Sequence, residues 1–381
     1  MNLKVFSPQK RNIGLDLLRV IAMLMIVIWH STNHGGLDSL SGNLDLFNMS
    51  IHYIQALTCV SVNVYVLISG YFLCTQKFRV SRILKIFIET WFYAWLILIF
   101  CKFTNIIQLS AKDIIFSIFP ISYRLNWFVT SYIGLCILSP FLNKMLNLFS
   151  HKQHLMLVIV LYLSTSLMRD ILPMSFSLDV YDGKRLSWFI VLYIIAAYIR
   201  KYIKINNIKP FIFFLVYLIS TLFLFFVWVF VFYFGNRLNI PQEIINYGCK
   251  YYYMYSSSFV LASSLSLFLT FVNLKITRDN YLAKYVLKLA PLTFGVYLIH
   301  DNYIIRDVVW EGVLTVENPN IHIIAYVFAY SIMIFFLCIL IDSIRNLIFS
   351  IFYNSDVWKK KSGRIDYISE YIYNHLDKYL E

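Results

Sequence analysis

From Phe211 to Phe234 the chain reads FIFFLVYLISTLFLFFVWVFVFYF, without a charged residue. A helix rises about 1.5 Å per residue, so a run of this length crosses the roughly 30 Å hydrocarbon core of a bilayer. In that solvent every backbone N–H and C=O must find a partner within the protein, which leaves helices and closed barrels. The apolar runs here are continuous rather than alternating, so they are helices. Candidate spans fall at roughly 13–33, 57–75, 83–101, 127–147, 155–172, 186–200, 211–234, 255–274, 286–305 and 322–349. The fifth and sixth are short enough to be tilted or partly re-entrant. Composition agrees: 60% of the residues are hydrophobic and 14% charged, against about 45–50% and 25% in soluble domains. The expected fold is all-α, a polytopic integral membrane bundle of about ten transmembrane helices.

The net charge of +13 would suggest a nucleic-acid partner in a soluble protein. Here it reads as anchoring beside anionic lipid, and no nucleic-acid partner is expected. With the N-terminus cytoplasmic, most basic residues gather on the inner side, among them Lys4, Lys10, Lys77, Lys204 and Lys359 to Lys361. Residues 34–56, the first outer loop, contain neither Lys nor Arg. Both termini are therefore expected in the cytoplasm of a multi-pass cell-membrane protein. A transmembrane domain would occupy 1–349. A cytoplasmic basic tail, solvated or folded as an interfacial helix, would occupy 350–381. The first run contains an internal Arg and no small-residue cleavage site, so it is read as a retained span. The six cysteines form no CxxC pair and are expected to be buried thiols.

Charge inside a span costs about 2.5–3.5 kcal/mol on insertion scales. The first span nevertheless carries Asp16, Arg19 and His30. Arg19 and His30 are eleven residues apart, nearly one helix face, and separated by about 16 Å along the axis. Asp16 can pair with Arg19 at i,i+3. Histidine can take and return a proton near neutrality, which a general base in acyl transfer requires; the alternative is a core histidine bonded to another helix. Arg19 can hold a phosphate, a carboxylate or a developing oxyanion, or else only its Asp16 partner.

Arg79, Arg82 and Lys85 form a second cationic edge at the start of the third span, suited to nucleotide phosphates or to simple anchoring. Glu89 follows, with Lys85 as an available partner at i−4. In VNVYVLISGYFL, the polar and small residues Asn63, Ser69 and Gly70 suit close helix packing. Asn126, Trp127 and Phe128 open the fourth span, and Pro140 is expected to end or kink it. His300 and Asp301 close the ninth run and read as a solvated loop. His151 and His154 fall in an inner loop. No metal-ligand set and no phosphate-binding glycine loop is evident, so no metal is expected.

These elements together resemble the type 3 integral membrane acyltransferase family, whose members commonly O-acetylate bacterial surface glycans. The resemblance rests on LDLLRVIAMLMIVIWH with Arg19 and His30, on VNVYVLISGYFL, on Arg82-Ile-Leu-Lys85 and on TFGVYLIH, and it covers about residues 11–345. It implies an acyl-CoA donor, acetyl-CoA by default, arriving from the cytoplasm. It implies a hydroxyl of a glycan or lipid-linked glycan as acceptor. It assigns Arg19 and His30 as functional residues. Arg79, Arg82 and Lys85 would then hold coenzyme A, with Asp16, Asn63, Ser69, Gly70 and His300 in support. Lys85 stands where the family usually has a second arginine, which removes a bidentate phosphate contact. The rival readings are a polysaccharide exporter or flippase of the same fold, for which paired or interrupted helices would be expected, and a glycan polymerase, which would want a large outer loop.

Overall fold

The structure, a computed structural model, describes residues 11–37, 44–172, 182–203, 208–314 and 322–375. Lys4, Lys10, Lys204 and the last six residues of the basic tail lie outside the described residues. Among the described residues the chain is helical and contains no strand. Its helices are α1 (Ile13–Asn33), α2 (Leu46–Thr58), α3 (Ser61–Leu73), α4 (Val80–Thr104), α5 (Ala111–Ile118), α6 (Trp127–Leu148), α7 (His151–Tyr162), α8 (Met168–Ile171) and α9 (Leu186–Tyr202), followed by α10 (Pro210–Arg237), α11 (Gln242–Tyr251), α12 (Ser258–Val272), α13 (Tyr281–Leu289), α14 (Thr293–His300), α15 (Arg306–Leu314), α16 (His322–Asn354) and α17 (Asp356–His375).

Eight segments among these residues are long and apolar enough to cross a membrane, and α12 is a shorter apolar helix. The runs expected at 186–200 and 255–274 are α9 and α12. The outer faces of α10 and α16 expose Phe211, Ile219, Phe230, Leu340, Leu347 and Ile351. In water such faces would be a liability; in lipid they need no partner.

Helix α1 is the hub. Asn12 caps it by accepting from Leu15 N at 3.1 Å, and its side chain also donates to Val272 O at the end of α12. From there α1 packs against α2, α3, α12, α13, α14 and α16. Two glycines permit close approaches elsewhere. A Cβ on Gly70 of α3 would lie 3.0 Å from Ala196 Cβ and Tyr193 Cα of α9. A Cβ on Gly295 of α14 would strike the carboxylate of Asp342 on α16.

Asn63 is fully buried and joins three elements. It donates to Tyr255 O at 2.8 Å and accepts from Trp188 Nε1 of α9 at 2.9 Å. A polar residue in a span is stable when each of its groups is paired in this way.

Several expectations are corrected. The second span begins at Leu46 rather than near 57, because Asp45 caps α2 by accepting from Asn48 N at 2.8 Å. Helix α6 runs through Pro140, which therefore does not end it. His151 and His154 belong to α7, capped by Ser150, rather than to a loop. Glu89 does not pair with Lys85: Arg345, buried in α16, lies 3.0 Å from it and 2.7 Å from Asp342. Arg345 therefore takes the role assigned to Lys85, whose ammonium instead lies over the Tyr353 ring at 4.6 Å. Helix α17 folds back on α4, where Asp366 accepts from Ser81 N and Oγ at 2.8 and 2.6 Å.

Asn63→Ala leaves the Trp188 N–H and the Tyr255 carbonyl unpaired in the core. It is expected to cost about 1–3 kcal/mol, seen as a lower thermal unfolding midpoint in detergent. An unchanged midpoint would show that these groups find other partners.

Candidate active site

The end of α1 brings His30, Asn33 and His34 to one end of the bundle. There α14 ends in His300, followed directly by Asp301. The His300 ring donates from Nδ1 to Val296 O at 2.6 Å. A carbonyl only accepts, so this bond fixes the tautomer and leaves His300 Nε2 as an acceptor. His30 Nδ1 lies 2.9 Å from that atom and must be the donor. The lone pair of His30 is then on Nε2, which makes no hydrogen bond among the described residues. Two histidines in series thus orient one ring as a base, with the backbone of α14 as the anchor.

Asp301 Oδ1 lies 3.8 Å from His30 Nδ1 and 3.6 Å from His34 Nε2, and 3.8 Å from the Arg306 guanidinium. Burial lowers the His34 pKa and raises that of Asp301, and the attraction between the two opposes both shifts.

Two cavities meet at this ring. The smaller, about 280 Å³, extends from Arg19 along Tyr65, Ser69, Tyr132 and Thr293 to His30. The larger, about 570 Å³, lies beyond His30 and is lined by His52, Gln55, Trp228, Gln242, Asn246 and Lys250 among others. Trp29, His30, Trp127 and Tyr255 border both. The walls of the larger cavity are set by contacts between helices. His52 stacks on Trp228 at 3.9 Å and bonds to Gln55 at 3.1 Å. Trp127 stacks on Tyr255 at 6.0 Å.

Arg19 forms the expected pair with Asp16, at 2.9 Å, and Asp16 also holds Arg11 at 2.5 Å. The Arg19 side chain is still 32% exposed and borders the smaller cavity. Arg82 bonds to Gln76 Oε1 at 2.8 Å and, with Arg19, falls within electrostatic reach of Tyr132. Arg79 and Lys85 do not border the cavity. None of the expected cationic trio borders this cavity, and Arg19 is the arginine that does. Ser69 borders the cavity and donates to Tyr65 O at 2.9 Å. Asn63 and Gly70 act in packing.

The reading of His300 as a solvated loop residue is overturned: it is fully buried and bonded to His30. His34, His52, Gln55, Trp228 and Arg306 were not singled out in the sequence. The i,i+4 spacing of His30 and His34 was the one available signal for His34.

The family model of the acyltransferase domain, that of the acyltransferase 3 family, matches residues 12–343. Neither a curated protein nor a solved structure gives a match. The fold and this match define a multi-pass membrane acyltransferase. The chain belongs to the acyltransferase 3 family.

His300→Ala removes the acceptor of the His30 proton at a residue that borders neither cavity. It is expected to lower kcat for acyl transfer by about tenfold or more while leaving KM for the donor nearly unchanged. A change in KM alone would assign His300 to binding.

Proposed function

We propose that this protein is an O-acetyltransferase of the cell membrane that moves an acetyl group from acetyl-CoA to a hydroxyl of a cell-surface glycan or its lipid-linked precursor. The observation that carries the reading is the position of His30 at the junction of two cavities of different chemistry. The smaller is mostly apolar with one arginine among its lining residues, which suits a thioester arm whose charged part stays near Arg19. The larger is rich in tryptophan, tyrosine and amide side chains, which suits a sugar: rings stack on aromatic faces and hydroxyls bond to amides.

In this mechanism Arg19 and Arg82 hold the phosphates of coenzyme A and the arm extends to His30. The acceptor hydroxyl enters from the larger cavity. His30 Nε2 takes its proton as the oxygen attacks the thioester carbonyl. The C–S bond breaks, the ester C–O bond forms, and the proton passes to the departing thiolate. His300 holds the ring. The same ring could first carry the acetyl group, with one acyl-imidazole step added. The distribution of basic residues supports a cytoplasmic placement of both termini and of Arg19.

Ester-linked acetate on surface polysaccharide, compared in cells with the intact protein, without it and with well-expressed His30→Ala, tests the reading. Acetate is expected only with the intact protein, and the purified variant should lose about 10²–10⁴-fold in rate. Full activity in His30→Ala would overturn the assignment. Unchanged acetate with less polysaccharide in cells lacking the protein would favour export.

Arg19→Ala is expected to raise KM for acetyl-CoA more than it lowers kcat, because the cation binds ground and transition states alike. An unchanged KM would remove Arg19 from the donor site.

A further inference from the structure

We propose that His30, His34 and Asp301 form a binding site for a divalent transition metal of the zinc class, and that its occupation takes His30 out of acyl transfer. The second half rests on the role given to His30 above; the first does not.

The ligand atoms of the three residues lie within 4.8 Å of one another. His34 Nε2 and His30 Nδ1 are 3.6 and 3.8 Å from Asp301 Oδ1. Metal–ligand bonds of about 2.0–2.2 Å place tetrahedral ligands about 3.3–3.5 Å apart, so the two pairs with Asp301 need to close by a few tenths of an ångström, and the two histidine nitrogens, within 4.8 Å of each other, by up to about an ångström or slightly more through ring rotation. Two imidazoles and a carboxylate are the donor set that zinc accepts with a fourth position open. Asp301 supplies a second, independent observation. It is only 5% exposed, and its Oδ1 accepts no hydrogen bond among the described residues. The nearest cation, the Arg306 guanidinium, stands 3.8 Å from this oxygen, beyond hydrogen-bond distance, so the buried carboxylate is only partly compensated. All three residues border the larger cavity, which provides both the route of entry and the open position.

The spacing within α1 was visible in the sequence, since His30 and His34 are separated by one helical turn. The third ligand comes from beyond α14 and only the fold brings it near. The expectation of no metal-ligand set arose from this separation.

Metal binding and base function exclude one another. His30 Nδ1 carries the proton donated to His300 Nε2. A metal on Nδ1 requires that proton to leave to solvent and breaks the bond that orients the ring. The Arg306 guanidinium, 3.8 Å from Asp301 Oδ1, is the competing cation and must move away.

The test is isothermal titration of the purified full-length protein in detergent with Zn²⁺, alongside the visible absorption of its Co²⁺ form. The expected result is one saturable site with tetrahedral Co²⁺ bands. Affinity should fall by about tenfold or more in His34→Ala, rise in Arg306→Gln, and stay unchanged in His151→Ala, which alters a histidine bonded to Tyr198 elsewhere. Zinc should inhibit the wild-type enzyme over the concentrations that fill the site, with recovery on chelation, and His34→Ala should lose that sensitivity relative to its own rate in chelator. Absence of a saturable site, or equal affinity in wild type and His34→Ala, would overturn the metal site. Tight binding at this site without inhibition would instead remove the exclusive role of His30 and leave the metal site standing.

Discussion

The hydrogen bond from His30 to His300 joins the last turn of α1 to the last turn of α14, and the arrangement of the site follows from it. His300 is anchored on Val296 O, one turn earlier in its own helix. That bond sets which nitrogen of His300 accepts, hence which nitrogen of His30 donates, hence which nitrogen of His30 remains basic. No charged residue is required for this chain of consequences. The arrangement suits a low-dielectric interior, where a neutral hydrogen-bonded pair costs far less than a separated charge.

Holding α14 in position takes a second buried network. Asp342 and Arg345 on α16 pair at 2.7 Å, Glu89 on α4 joins them at 3.0 Å, and Tyr93 donates to Asp342 at 2.6 Å. Gly295 lets this carboxylate lie against the backbone of α14. Breaking such a network by removing one partner leaves an uncompensated charge, so each member depends on the others. The ion network, the glycine and the His30–His300 bond together keep the α1–α14 contact in one register.

Legibility from sequence divided along a physical line. The membrane bundle could be read because a span is a local property: a continuous apolar run has few other fates in a chain of this composition. Asp16 and Arg19 could be paired because they are one turn apart on one helix. His30 drew attention because a histidine in a span is expensive. The partners of His30 could not be read, because His300 and Asp301 stand at the end of an apolar run, where the same residues in another protein would face water. Burial there depends on how α14, α15 and the end of α1 close over them. Glu89 was given the nearest cation along its own helix, whereas the fold supplied Arg345 from α16. In the sequence α2 reads as a loop because its apolar character is interrupted by Asn48, His52 and Gln55. Two of these, His52 and Gln55, line the larger cavity. Two of the polar residues that obscure the span thus contribute to the chemistry of the cavity.

The central claim is that one ring is reached from two directions. Its most direct test is the labelling of His30→Cys, in a Cys59→Ser background, by a membrane-impermeant thiol reagent applied to sealed vesicles of each orientation. Cys59 is replaced because it borders the smaller cavity, and Cys249, which borders the larger, is replaced by Ser in the same background; the other native cysteines are buried and border neither cavity. The account predicts labelling from both faces, with coenzyme A protecting against reagent from the Arg19 side only. Labelling from a single face, or protection by coenzyme A from neither, would contradict it.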